Sequence, residues 1–483
     1  MIETIRALEA ASRVLDPDAA ERARLRAAFE PLTEGFLGRA RTMKAFVDEP
    51  ERAFEVDVHP IAAEGRPIES IVELLENAVV TPSAQPASPG HVAYFTGGGL
   101  YHGALADFAS AITNKYTGIY FPGPGEVRIE NQVVRWIADL VGYPAEAGGA
   151  VLSGGSIAIL TAVVAAREAA GLRAADIPSA VVYLTAQTHH ALGKALRVAG
   201  LSEAQLRIIP IDERYRMRPD ALAEAIATDR AQGLRPWLIT ATAGTTEVGA
   251  VDPLAAIADI AEREHCWFHV DAAYGGFFLL TEHGRAMMRG IERSDSVILD
   301  PHKGLFAAWG VGVVLTRDAT TLTTAMRDTG PYLQDTGHAD VLSPADVSPE
   351  LTRPFRALRL WLPLAHLGTR PFVAALEEKL ELARYFYTRV QELGFEVGPE
   401  PDLGVIVFRW PADSADADDL EKANAINQRL RDQLLADGRI FLSTTMLDGR
   451  FTLRIAPLSF RTHLDTVDLV LDVLDELTAP LRR

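Results

Sequence analysis

The sequence predicts an α/β protein with a mostly parallel seven-stranded sheet flanked by helices, followed by a smaller C-terminal α+β domain. Three observations carry this. Short β-rich runs alternate with helical stretches from about residue 105 to 317, the pattern of a sheet covered on both faces. The polar residues of that region gather just after the runs, where open α/β sheets place their ligands. After Trp361 the alternation stops and longer helices frame a few isolated β runs.

Taken in order, the runs are Ala150–Ser153, Ala180–Leu184, Leu206–Ile211, Trp237–Ala241, Trp267–Asp271, Ser296–Asp300 and Gly312–Thr316. Between them, Ile157–Ala170, Pro219–Gln232 and Leu254–Glu264 carry helical periodicity. Asp252-Pro253 predicts a helix opening, with an acid at the N-cap and proline at the first helical position. In the C-terminal part, helices are expected at Phe372–Leu393, Leu420–Asp437 and Leu464–Leu477, with β runs at Gly404–Trp410, Ile440–Ser443 and Phe451–Ile455.

Composition narrows the class. The chain has 483 residues, too many for one ordinary core, and its 48% hydrophobic and 23% charged content is globular. A formal net charge of −18 supplies no basic face for nucleic acid. No stretch approaches the roughly 20 apolar residues of a membrane span. The opening MIETIRALEAASRVL carries Glu3, Arg6 and Glu9, which excludes a signal-peptide core, while Ile5, Leu8 and Leu15 lie on one face of an amphipathic helix. The single cysteine, Cys266, leaves no internal disulfide, and a cytoplasmic location is expected.

Five polar clusters follow strand ends: Ser153-Gly154-Gly155-Ser156, Gln187 to His190, Thr242 to Thr246, Asp271, and His302-Lys303. Asp271 closes an apolar strand and precedes small residues that let a flat ligand approach the backbone; alone it suits a helix N-cap or a ribose-binding acid equally well. Lys303 stands 32 residues later, directly after a β run and beside a histidine. A lysine is usually a solvated surface residue, but one desolvated in a pocket can form an imine with an aldehyde. The glycine turn at Gly154-Gly155 offers backbone N–H groups and a helix N-terminus to an anion. It is no P-loop, because the Gly-Lys-Ser/Thr ending is missing, and Ala158 replaces the second glycine of a nucleophile elbow. His189 or His190 can stack on an aromatic ring. Together these parts describe a site for pyridoxal 5′-phosphate (PLP): aldehyde on Lys303, phosphate at Gly155 and Ser156, and Asp271 keeping the pyridine nitrogen protonated so that the ring becomes an electron sink. No metal is expected.

At this point HVDAAYGG and DPHKG, in this order and spacing, resemble the group II PLP-dependent amino acid decarboxylases of fold type I, a family that includes aromatic-amino-acid, histidine and glutamate decarboxylases. TAQTHHALGKA, ATAGTTEVGAVDP, NKYTGIYFPGPGEVRIEN and LSTTMLDGRFTLRIAPLSFRTH extend the likeness from about residue 90 to the C-terminus. The resemblance implies that His189, not His190, stacks on the ring and that Thr246 and Ala273 lie near the cofactor. It implies that His302 helps fix cofactor or proton, and that Tyr332, in a catalytic loop Pro331-Tyr332-Leu333-Gln334, protonates the quinonoid carbon after CO2 leaves. Arg454 occupies the family position, and Tyr94, Thr96, Phe95, Lys115 and Tyr120 are candidates for the substrate wall. The implied organisation is an N-terminal dimerisation segment over 1–95, a PLP-binding domain over 96–365 and a small domain over 366–483, in a homodimer with shared active sites.

Some residues depart from the family pattern. Asp300 stands where animal enzymes often carry asparagine near the phosphate, so its carboxylate is expected to turn away, or the residue to offer only its backbone N–H. Ile157 and Ile159 replace residues that are often polar. Thr96-Gly97-Gly98-Gly99 is less bulky than the wall of the aromatic enzymes, which counts against an aromatic substrate; aromatic, acidic and small aliphatic amino acids all stay open. Decarboxylation of an L-amino acid through a Lys303 imine is the expected reaction. A carbon–carbon lyase or aldolase of the same fold uses the same lysine, aspartate and histidine, and a non-catalytic PLP-binding homologue is the alternative outside enzymology. A desulfurase is excluded, because Cys266 stands at the entrance to a buried strand and not on a loop.

Overall fold

The computed structural model describes residues 1–328, 341–412 and 416–482. The chain forms two compact units, Met1–His91 with Asp432–Phe441, and Val92–Arg431 with Leu442–Arg483. In the first unit, helix Ile2–Ser12 buries no residue, and Ile2, Ile5 and Leu8 are exposed. Helix Ala19–Arg39 is capped by Asp18, whose carboxylate accepts from Glu21 N at 2.8 Å. A short antiparallel pair, β1 (Phe46–Val47) and β2 (Ser83–Ala84), lies where the Phe46 ring stacks on Phe441 at 5.1 Å.

The second unit holds the main sheet. Its strands are β3 (Gly148–Leu152), β4 (Ala180–Leu184), β5 (Gln205–Ile208), β6 (Arg235–Thr242), β7 (Trp267–Asp271), β8 (Ser296–Leu299) and β9 (Gly312–Thr316). Their spatial order is β3-β9-β8-β7-β6-β4-β5. Only β9 runs against its neighbours, so the sheet is mostly parallel, as the strand–helix alternation requires. On one face Ile239, Phe268, Val270, Val297 and Val313 pack with Val133 and Ile137 of helix Pro124–Val141 and Ile257 of helix Leu254–Glu264. On the other, Leu152, Val182, Leu238, Ile298 and Val314 meet Ala158, Ala162, Ala165 and Ala166 of helix Gly155–Ala169. Alanines on that helix let it lie close to the strands. Strand β5 is shorter than the Leu206–Ile211 run suggests; it is the sheet edge, and Leu206 and Ile208 are exposed there.

The C-terminal part carries a four-stranded antiparallel sheet in the order β10-β11-β13-β12, formed by β10 (Glu396–Val397), β11 (Ile406–Arg409), β12 (Ser443–Leu447) and β13 (Arg450–Ile455). Helices Arg370–Glu392 and Leu464–Thr478 accompany it. The strand expected at Ile440–Ser443 instead begins at Ser443. The reason is local: Asp448 and Gly449, with φ of +50° and +77°, form a two-residue hairpin turn, and its register joins Leu447 to Arg450.

Two buried acids shape the ends of the strands. Asp252 is not a helix cap, contrary to the sequence expectation. Its carboxylate accepts from Met217 N and Thr242 N, both at 2.7 Å, and burial pushes its pKa up to about 6. Near the end of β3, Glu130 Oε1 accepts from Val151 N at 3.1 Å and pairs with Arg353 Nη1 at 2.9 Å, while Arg353 Nη2 donates to Val151 O. Both side chains are buried, so this pair fixes the strand immediately before the glycine turn.

Candidate active site

A cavity of about 340 Å³ opens beyond the carboxyl ends of β3, β6, β7 and β8. It draws its lining from all five polar clusters read in the sequence, including Ser153, Gln187, Thr242, Asp271 and Lys303. At its first corner, Gly154 has φ +144°, a conformation side chains rarely adopt, and helix Gly155–Ala169 starts directly after it. A Cβ on Gly155 would lie 2.9 Å from Asp300 Oδ2, so a carboxylate sits against this turn. The first N–H groups of the helix, at Gly155 and Ser156, face the same corner and suit an anion.

Strand β8 ends at Leu299, and the chain makes a single helical turn, Pro301–Gly304, that carries Lys303. Lys303 Nζ lies 3.1 Å from Asp300 Oδ2 and 5.5 Å from the centroid of the Phe95 ring. Asp300 therefore does not turn away from the site. It is the ion partner of Lys303, is buried, and its Oδ1 has no hydrogen-bond partner among the described residues. His302 is anchored by Nδ1, 2.6 Å from Val311 O, which leaves Nε2 on the side of Asp300 at 3.7 Å.

Asp271 terminates β7 inside the cavity, only 6% exposed, and its Oδ1 accepts from Ala273 N at 3.1 Å. That bond fixes the carboxylate and brings Ala273 into the lining. His189 also lines the cavity. Its Nδ1 accepts from Ala191 N at 3.2 Å, so the proton of the neutral ring resides on Nε2. Burial lowers its pKa, which favours that neutral form. The His190 ring lies 4.1 Å away and is absent from the lining. Thr246 completes the lining from the loop after β6.

Phe95 is the wall residue opposite Lys303. It stacks on Tyr274 at 4.0 Å, and the guanidinium of Arg454 lies 4.7 Å from its centroid. Arg454 is buried behind it, donates to Ser443 Oγ at 2.8 Å, and has its pKa lowered to about 10 by desolvation. Thr96 is buried and Tyr94 exposed, with φ +54°; neither they nor Arg454 line the cavity. The glycines after Thr96 have steric reasons. A Cβ on Gly97 would lie 2.6 Å from His302 O and 2.9 Å from Lys303 O, and Gly98 has φ +93°. Tyr332 and its loop lie outside the described residues. Sequence reasoning gave no role to Tyr274, although it lies in the HVDAAYGG run, and missed Ile298, whose place in the lining follows from the register of β8 beside Asp271.

The residues present fit PLP. Gln187 Oε1, Thr242 Oγ1 and Asp300 Oδ1 are buried lining atoms with no hydrogen-bond partner among the described residues. They accompany a lysine, an anion-binding turn and an acid, each at a different corner of one cavity. Cys266 has no part in it: it is buried at the start of β7, and burial pushes its thiol up to about 12.

Comparison with known proteins agrees. Residues 50–411 match the pyridoxal-dependent decarboxylase conserved domain. The chain is 34% identical over 425 residues to an aromatic-L-amino-acid decarboxylase of Bacillus atrophaeus, covering 87% of this chain and 86% of that protein. It is 31% identical to a phenylacetaldehyde synthase of Arabidopsis thaliana, over 78% of this chain and 79% of that one. Among solved structures, Oryza sativa TDC with PLP and tryptamine superposes with a TM-score of 0.91 at 27% identity, covering 97% of this chain and 99% of that one.

Proposed function

The chain belongs to the pyridoxal-dependent decarboxylase family and is a PLP-dependent amino acid decarboxylase, and on that premise we propose that it converts an aromatic L-amino acid to the corresponding amine and CO2 using Lys303, Asp271 and His189. The convergence of those three side chains on one cavity, each from a different strand end, carries the assignment of roles. The aromatic class is supported by the name of the Bacillus relative.

When bound, PLP supplies an aldehyde for a primary amine and a ring that can take up the electron pair left by a departing carboxylate. The protein does the rest. Lys303 would hold the group through Nζ, the amine able to bond its aldehyde carbon. The Gly155 and Ser156 N–H groups hold the phosphate, aided by the helix N-terminus. Asp271, its Oδ1 anchored on Ala273 N, holds a proton on the ring nitrogen. His189, neutral and fixed by Ala191 N, offers a flat face to the ring, and Thr246 supports the other side. His302, tied to Val311 O, directs Nε2 inward and helps retain the cofactor or a proton. The cavity would orient the substrate's carboxylate for loss, and that orientation together with the proton kept in place by Asp271 would lower the barrier. Tyr332 returns a proton to the α-carbon; its hydroxyl favours amine over aldehyde. Tyr94, Thr96 and Arg454 do not line the cavity; Arg454 acts on the substrate side only through the Phe95 ring that it backs.

We further propose a cytoplasmic homodimer whose partner copies complete each other's sites. Helix Tyr101–Thr113 supports this, since Tyr101, Leu105, Phe108 and Ile112 form an exposed apolar stripe at helical spacing. No helix among the described residues is long and apolar enough to cross a membrane.

The deciding experiment is CO2 release from carboxyl-labelled amino acids by purified, PLP-loaded protein. Release from an aromatic member with equimolar amine supports the proposal. Release only from acidic or aliphatic members would refute the substrate class, and no release from a protein that binds PLP would favour the carbon–carbon lyase.

A further inference from the structure

Directly beneath the cavity floor lies a buried polar row that no role above uses. The register aligns Thr240 of β6, His269 of β7, Ser296 of β8 and Thr316 of β9 side by side. One step further along the strands come Thr242, Asp271 and Ile298, which line the cavity. Side chains alternate along a strand, so both rows project from the same face. The face is otherwise aliphatic: Leu238, Ile298 and Val314 surround the row, and the alanines of helix Gly155–Ala169 cover it.

Buried polar groups in such a place cost stability unless they are hydrogen-bonded. Part of the row is satisfied. Trp267 Nε1 donates to Ser296 Oγ at 2.9 Å, Ser296 Oγ lies 2.8 Å from His269 Nδ1, and Thr316 Oγ1 donates to Asp318 O at 2.9 Å. Three atoms are not. His269 Nε2, Thr240 Oγ1 and Thr242 Oγ1 are buried with no hydrogen-bond partner among the described residues. These three occupy adjacent positions of β6 and β7, and Thr242 is the register partner of Asp271 itself.

The satisfied bonds set the state of the imidazole. Ser296 Oγ accepts from Trp267, so its own proton is available to His269 Nδ1, and Nε2 carries the ring N–H. Burial lowers the His269 pKa to about 4, which keeps the ring neutral. Asp271, on its own strand, is the charged group that acts on it. The flanking positions of β6 and β8 present only hydroxyls, and the covering helix presents alanines.

We propose that His269 is a positioning residue for Asp271: its Nε2–H and the unpartnered hydroxyls of Thr240 and Thr242 hold one buried water, and through it the Asp271 carboxylate is kept as an oriented anion opposite the cofactor's ring nitrogen. The inference rests on the decarboxylase reading above. Asp271 Oδ1 is already fixed by Ala273 N, so a second donor from below orients the whole carboxylate while leaving an oxygen for the ring.

The test uses the full-length protein stripped of cofactor and reloaded with PLP, comparing wild type with His269→Leu, His269→Gln and Ser296→Ala. Two quantities are read: the PLP dissociation constant from fluorescence quenching, and the pH midpoint of the visible absorbance of the bound cofactor. His269→Leu is expected to weaken PLP binding about tenfold, the size of one hydrogen bond to a charged group, and to displace the midpoint by about one pH unit. His269→Gln, which restores a donor near the Nε2 position, recovers most of both. His269→Leu with wild-type affinity and midpoint overturns the inference and leaves the decarboxylase reading intact. So does a weakened His269→Leu that His269→Gln does not rescue. If near-ultraviolet circular dichroism shows that His269→Leu does not fold, Ser296→Ala decides: a shift in the same direction supports the relay, and no shift overturns it. Wild-type protein that takes up no PLP at Lys303 overturns the underlying reading and this inference with it.

Discussion

Lys303 Nζ and Asp300 Oδ2 lie 3.1 Å apart within one helical turn, and Asp300 Oδ2 also lies 2.9 Å from where a Gly155 side chain would begin. One carboxylate thus sits against both the amine proposed to take the cofactor's aldehyde and the turn proposed to take its phosphate. That ion pair must open before Lys303 can bond to a carbonyl, and a carboxylate near a phosphate repels it. Asp300→Asn should therefore bind PLP more tightly, by about tenfold. Equilibrium titration of the stripped protein measures this, and weaker binding would show that the carboxylate assists loading.

Replacing Lys303 with alanine should remove covalent attachment and lower turnover by on the order of 10³-fold or more. Borohydride reduction followed by peptide mass analysis reads the attachment directly. A reduced cofactor found on another lysine would reassign the site.

The buried Glu130–Arg353 pair secures the strand before the glycine turn. Arg353→Leu leaves an uncompensated acid and should cost about 3–5 kcal/mol in denaturant unfolding, whereas replacing both partners by apolar residues should cost less. Equal costs for the single and double variants would mean that the pair acts only by filling space.

Acid sensitivity follows from His269, whose pKa is about 4 when folded against 6.5 in its ordinary state. The unfolded chain binds the extra proton between those values, so the stabilising contribution is complete above 6.5 and is lost as pH falls through about 4. The full effect is at most about 3 kcal/mol. Unfolding free energies measured across that window should decline in wild type and decline less in His269→Gln.

Tyr332→Phe should lower amine formation by about 10²-fold and divert product to aldehyde and ammonia, with uptake of oxygen. Product analysis beside an oxygen electrode tests it. Unchanged amine yield would remove Tyr332 from the proton step.

The parts of the site that were legible in the sequence are those encoded locally. Asp271 and Lys303 each follow a β run directly, and Gly154-Gly155 opens a helix, so strand ends alone brought them together. What was not legible depends on partners distant in sequence. Asp252 looked like a helix cap because Pro253 follows it, yet its bonds go to Met217 and Thr242. Asp300 was expected to face away, since its attachment to Lys303 emerges only from the turn geometry. His269 looked like part of an apolar strand until the register set it beside Ser296. The boundaries 95/96 and 365/366 rest on the family resemblance, the second also on the change of pattern after Trp361, and they stand as a proposal.

Gly97 leaves no room for a side chain between its own backbone and the carbonyls of His302 and Lys303. The small residue there is thus a joint between two pieces of main chain and conveys nothing about the size of the molecule to be held. A bulkier residue at that position would lift the lysine-bearing turn from its seat before it narrowed any pocket. Phe95, Ile157 and Ile159, whose side chains line the cavity, can change in size without moving that turn, whereas residue 97 is closed to such tuning.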